Sequence, residues 1–142
     1  MTSADDPYNL QRFVVAQNSW FGQVCTELHA GEKRSHWMWF IFPQIRGLGH
    51  SATSRMLAVS SRQEAEAYLK HPILGPRLKQ CTSLVNLLEG RSVRQIFGPD
   101  EVKFRSSMTL FASTTTPDNQ IFRDALQKYF AGEPDRRTLE RI

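Results

Sequence analysis

Apolar residues recur at threes and fours along most of the chain, the spacing of helices that bury one face. From Tyr8 to Ala30 the series Leu10, Phe13, Val14, Ala16, Trp20, Val24 and Leu28 predicts one long helix. Asp6 would cap it, Pro7 would take its first position and Gly31 would stop it. The run Trp37–Phe42 is too short to be typed by periodicity. Its aromatic residues would suit a strand, but no other segment is available to pair with it. A short helix capped by Ser35 and ended before Pro43 is the expectation. Ile45–Ser51 reads as a glycine-punctuated loop.

Further along, Ser61-Arg62-Gln63-Glu64 has the form of a capping box and opens a helix over Gln63–Lys70. His71-Pro72 interrupts it. A longer helix, about Pro72 to Leu88, carries Leu74, Leu78, Cys81, Leu84, Val85 and Leu88 on one stripe, with a kink or late start near Pro76. Ser92 caps a turn to Phe97. A helix follows from Pro99 to about Ser113, then a Thr114–Pro117 loop. Asp118 opens the helix Asn119–Ala131, and Asp135 caps a last short one, Arg136–Arg141. The fold expected is all-α, a single compact domain over residues 1–142 with six to eight helices, no significant sheet and a frayed segment 1–7.

Composition agrees with that class. With 142 residues the chain is one domain's length, and 40% hydrophobic with 23% charged residues suits a globular protein rather than a disordered one. No apolar run approaches the roughly 20 residues of a membrane helix, and the first residues lack the basic and apolar parts of a signal peptide. A cytoplasmic monomer that does not engage membranes is expected. Cys25 and Cys81 fall inside helical patterns, where a reduced, small apolar role is the plain reading. The four histidines lack metal-binding spacing, so neither a metal nor a cofactor is expected.

The net charge of +4 is unevenly spread. Residues 29–98 hold ten Lys or Arg against four acidic residues, and the remainder holds eight against ten. A positive field over the middle of the chain favours an anionic partner.

The chemistry concentrates in two segments. Positions 34–42 contain four aromatic residues, a histidine and an arginine. They read either as a core plug or as a ligand pocket. In a pocket, Trp37 and Trp39 would stack a planar ring while Lys33, Arg34 and Arg46 neutralise phosphates. Gln44 would hydrogen-bond the ligand. Gly47-Leu48-Gly49 could offer backbone N–H groups, though it lacks the third glycine of a dinucleotide turn. His36 is the first choice for acid–base work, because histidine as a residue type titrates near neutrality. The second segment is the helix strip with Lys103, Ser106 and Ser107, beside Asp100 at i−3 of the lysine.

The string Glu32–Gly49, with His71-Pro72, Leu74-Gly75-Pro76-Arg77-Leu78, Ile96-Phe97-Gly98, Lys103, Ser106–Phe111 and Asp135 with Thr138-Leu139, resembles the signature of a bacterial family of uncharacterised proteins. It is a domain of unknown function whose members often carry the misnomer calpastatin. The resemblance runs from about Asp6 to Leu139 and departs at Met56, where the family more often has an aromatic residue. It implies a compact helical fold and supplies no activity. A fainter similarity, in the late Lys/Met/Phe-rich helix, is to the helical superfamily that removes ADP-ribose from guanine bases.

Two functions stay open. In one, the chain binds a nucleotide-like or phosphorylated small anion in a pocket lined by segment 33–49 and helix 100–109, with hydrolysis of an ADP-ribose-type substrate within reach. In the other, it is a non-enzymatic protein- or RNA-interaction module using a basic surface over residues 46–94, with Arg55, Lys70, Arg77, Lys79, Arg91 and Arg94 on a convex face. Exposure of Lys33, His36 and Lys103 separates them.

Overall fold

The first long apolar stripe folds as two helices, not one. In the computed structural model, which describes residues 5–142, α1 spans Gln11–Asn18 and α2 spans Phe21–Ala30, with a break at Ser19-Trp20. The two halves answer to different partners: α1 packs on α3 (Met38–Ile41), and α2 on α6 (Leu74–Leu87). Gln17, buried at the break, donates to the Phe40 carbonyl at 2.6 Å and to the Tyr68 hydroxyl at 3.0 Å. Helix α1 starts four residues later than a first position at Pro7 would put it. The Asp6 carboxylate still serves its start, accepting from the Leu10 and Gln11 N–H groups at 2.7 and 2.9 Å. Of the segment 1–7 expected to fray, residues 1–4 lie outside the described residues, and Asp6 is tied to the start of α1.

The remaining elements are α4 (Ala52–Met56), α5 (Arg62–Lys70), α7 (Val93–Phe97), α8 (Glu101–Ala112), α9 (Gln120–Phe130) and α10 (Arg136–Leu139), with a 3-10 turn over Gly98–Asp100. Helix α4 follows the expected loop Ile45–Ser51, in residues 52–60 for which the sequence pattern predicts no element. Among the described residues, six helices have eight residues or more; α3, α4, α7 and α10 are single turns. Strand pairing among the described residues is one isolated bridge, Ile45 to Val59. The chain is all-α and forms one domain.

Several helix ends follow from their capping residues. Ser61, Ser92 and Asp135 each accept an N–H from three residues on, and Ser92 with Gln95 makes a full capping box. Glu64 does not complete the box expected at Ser61. Its carboxylate turns instead to Ser60 and to Arg12. Asp118 does not cap α9 either; it pairs with Lys79. Gly31, at φ +76°, provides the left-handed stop of α2.

Helix α8 is the centre of the molecule. Phe104 and the run Ser106–Phe111 are buried on it, and α5, α7, α9 and α10 pack around it. Phe97 stacks on Phe104 at 4.5 Å, and Phe42 meets both edge-on at 5.8 and 5.1 Å. Such aromatic pairs add about 0.5–1.5 kcal/mol each beyond area burial. They also join segment 37–42 to the start of α8, which brings the two candidate segments together.

Arg12 secures the opposite side. Its guanidinium donates to Glu64 at 2.8 Å and to the carbonyls of Met56, Ala58, Tyr8 and Asn9 at 2.6–2.8 Å. Arg12→Ala would strand four carbonyls and a buried carboxylate, a loss of about 3 kcal/mol. A fall in the urea midpoint at unchanged slope is the expected reading, and Arg12→Lys should recover little of it, because one ammonium cannot span the five acceptors.

Candidate functional site

The loop that leaves α2 is organised by a carboxylate. Glu27 sits on the buried face of α2, one turn from Val24 and next to Leu28. Its Oε1 accepts from the Arg34 and Ser35 N–H groups at 2.7 and 3.1 Å and from the Trp37 indole at 2.9 Å. Its Oε2 accepts from Gln23 at 2.9 Å and the Ser35 hydroxyl at 2.7 Å. Burial opposes the charged form. The five donors outweigh it and hold the carboxyl at about 2. Ser35 is thus spent on Glu27 and does not cap α3, whose start at Trp37 has no side-chain cap. The Arg91 guanidinium holds the Gly31 carbonyl at 3.1 and 2.9 Å, and the Lys33 N–H donates to Ile96 at 2.7 Å.

With the loop so fixed, the Lys33 side chain lies along the Trp37 indole, its Nζ 5.2 Å from the ring centroid, and reaches Asp100 Oδ2 at 2.8 Å. From α8, Lys103 lies over Trp39 at 5.2 Å and reaches Asp100 Oδ1 at 2.8 Å. Asp100 therefore stands between two ammonium groups. Burial raises its pKa, while the hydrogen bonds and charges of Lys103 and Lys33 lower it further than burial raises it. Lys33, His36, Met38, Trp39, Asp100 and Lys103 together line a small cleft of about 110 Å³. The Lys33 side chain is 7% exposed and that of Lys103 34%; His36 is exposed at the rim. Gly49 closes on the far side of Trp39, where an added Cβ would lie 2.7 Å from the indole.

The other residues singled out from sequence lie elsewhere. Trp37 is fully buried and belongs to the core beneath the cleft. Arg34 is 73% exposed and pairs with Glu32. Arg46 is exposed, and beside it Gly47 is covered by the Arg141 side chain, 3.0 Å from where a Cβ would stand. Gln44 is buried, and its Nε2 has no hydrogen-bond partner among the described residues; neither has the Ser107 Oγ. Ser106 bonds the Val102 carbonyl and Asp135. Two residues that matter went unflagged as site residues. From sequence Asp100 is only the i−3 neighbour of Lys103, and that spacing is its signal. Glu27 was signalled only by being a charge on an apolar stripe.

The basic positions of the interaction-module reading divide. Arg77 stacks on Phe21, Lys79 pairs with Asp118, and Arg91 holds Gly31. Arg55 and Lys70 are exposed, as is Arg94, which reaches Glu101 at 3.4 Å. Among the described residues, no helix is long and apolar enough to cross a membrane, and no three His, Cys, Asp or Glu side chains are grouped to hold a metal ion.

The chain matches, over residues 7–142, the family described as "Protein of unknown function (DUF1810)", and it belongs to that family. Among solved structures it is similar to the conserved hypothetical protein Rv1873 from Mycobacterium tuberculosis, determined at 1.38 Å. The two share 54% identity, covering 94% of this chain and 96% of that one, with a TM-score of 0.92. No curated protein matches the chain.

Proposed function

We propose that the chain binds a small phosphorylated or nucleotide-like anion at the cleft between residues 33–39 and the first turn of α8. One observation carries this reading: two lysines from distant parts of the sequence converge on a single carboxylate at the mouth of a cleft with an aromatic wall. Two ammonium groups against one carboxylate leave a positive charge unmatched. Each ammonium has three donors, and Asp100 takes only one from each. The rest are available to an anion's oxygens. Asp100 acts as a brace that keeps two like charges close together before a ligand arrives, which lowers the reorganisation needed on binding.

The volume sets the division of labour. A space of about 110 Å³ suits a phosphate-sized group and not a whole nucleotide. A base or nicotinamide-like ring would lie outside, against the half-buried Trp39. His36 at the rim is the group placed to give or take a proton if a bond at the phosphate or glycosidic carbon is broken, as in hydrolysis of an ADP-ribose-type substrate. Lys33, Lys103, Trp39 and His36 are thus the binding set. Arg34, Arg46, Gln44, Ser106 and Ser107 recede from it, and Trp37 supports it from below. An interaction module on the basic surface has less to draw on, since Arg77, Lys79 and Arg91 are already engaged.

A thermal-shift series tests the proposal. The panel holds inorganic phosphate, nucleotides, NAD, ADP-ribose, sugar phosphates and short RNA, run on wild type and Lys103→Ala. A ligand at 100 times its Kd adds about 2.7 kcal/mol, a rise of roughly 5–10 °C for a chain this long. The expected result is such a rise with a phosphate-bearing ligand and its loss in Lys103→Ala. No rise with any small anion, or an equal rise in the variant, overturns the proposal. A response to RNA alone favours the interaction module.

A further inference from the structure

Helices α2 and α6 pack in a regular register that sets the two cysteines against each other. Arg77 of α6 lies 4.9 Å from the ring centroid of Phe21 at the start of α2. At the other end, Leu88, the residue after α6, lies 3.5 Å from where a Cβ on Gly31, the residue after α2, would stand. Residue 21 thus meets 77 and residue 31 meets 88, so the two helices run in the same direction. Cys25, four after Phe21, meets Cys81, four after Arg77. The two side chains face each other across the helix pair, and the Gln80 amide closes over the Cys25 sulfur at 3.8 Å. Helices packed roughly 8–10 Å apart leave about 5 Å between facing Cα atoms, the span of a disulfide.

Their surroundings differ. Cys81 is wholly buried, whereas Cys25 is half-buried and reachable from solvent. The contact with Cys81 and the charge of Arg77 favour the Cys25 thiolate; burial works against it, and the thiol is held down at about 7. Cys81 is pushed the other way, by the contact with Cys25, by burial and by the charge of the Cys25 thiolate.

We infer that Cys25 and Cys81 form a peroxide-reactive dithiol that closes into an intrachain disulfide between α2 and α6, with Cys25 as the attacking sulfur and Cys81 as the resolving one. The Cys25 thiolate attacks one oxygen of a hydroperoxide. An S–O bond forms, the O–O bond breaks, and the leaving hydroxide or alkoxide takes a proton. Cys25 is then a sulfenic acid. The Cys81 sulfur, losing its proton, attacks the Cys25 sulfur. The S–S bond forms, the S–O bond breaks, and hydroxide leaves with that proton as water. With hydrogen peroxide, two thiols and one peroxide give one disulfide and two waters. Neither sulfur has to cross the core, because the helix register already pairs them.

The test is treatment of the reduced full-length chain with equimolar hydrogen peroxide, followed by intact mass, alkylation in denaturant and peptide mapping. Wild type should lose two hydrogens, leave no alkylatable cysteine, show a peptide joining residues 25 and 81, and stay monomeric on a non-reducing gel. Cys25→Ser should keep its mass and one alkylatable thiol under the same dose. Cys81→Ala should stop at a sulfenic acid on Cys25 that dimedone captures. Cys81 is a core position, so wild type and Cys25→Ser carry the decision. Two free thiols after treatment, oxygen gained on Cys25 with Cys81 still alkylatable, or a bridge between two chains would each overturn the inference.

Discussion

Replacing Glu27 by Gln should cost about 3 kcal/mol and lower Tm by roughly 10 °C, because one carboxylate organises the whole loop on which the cleft is built. Its two oxygens accept five hydrogen bonds, four of them from Arg34, Ser35 and Trp37. A glutamine keeps one acceptor oxygen and turns an NH2 group toward groups that donate to the carboxylate. Held at about 2 in the folded chain against an ordinary value of 4.5, Glu27 binds its proton more readily when the chain is unfolded. The stabilisation is therefore complete above about pH 5 and is lost as the pH falls toward about 2. Wild type should show a steep decline of unfolding free energy across that interval, followed by chemical denaturation at stepped pH. Asp100 declines in the same direction, so the difference between wild type and Glu27→Gln isolates Glu27. Equal slopes in the two proteins would mean that the carboxylate is not the organiser described.

The second large effect should come from Gly75→Ala. Alanine in a helix is ordinarily favoured over glycine by about 1 kcal/mol. At Gly75 a Cβ would lie 2.2 Å from the Leu69 carbonyl oxygen and 3.0 Å from its carbon. Both are backbone atoms at the end of α5, so no side-chain rotation relieves the overlap. The turn His71–Ile73 would have to open, displacing α6 from α5. A net loss of about 3 kcal/mol follows. Gly22 in α2 is the control: nothing lies within 4 Å of its added Cβ, and Gly22→Ala should be neutral or stabilise by up to about 1 kcal/mol. Thermal melts of the two variants side by side check the contrast.

The cleft depends on positions far apart in the chain. Lys33 and Lys103 were each readable as candidates because residue type alone marks a cation beside aromatic residues. That both would reach Asp100 was not readable. The meeting requires α7 to hold the Lys33 backbone at Ile96 and the Phe42, Phe97 and Phe104 rings to fix α8 against segment 37–42. Nothing local distinguishes Trp37 from Trp39, two residues apart. One is sealed under the cleft and bonded to Glu27; the other forms its wall. Ser35, Asp118 and Glu64 illustrate the same point for capping. Each has the right side chain at the right place for a local bond, yet a distant partner takes it.

What the sequence determined by itself was the helical class, the single domain and the helix ends at Gly31, Ser61, Ser92 and Asp135. These rest on spacing and on bonds within a few residues, which short-range stereochemistry decides. The tertiary structure decided the break at Ser19-Trp20, the sorting of the motif into cleft and core, and the pairing of Cys25 with Cys81. An apolar stripe records that a face is buried but not against what. The two halves flanking the break bury their apolar faces against different partners, α1 on α3 and α2 on α6.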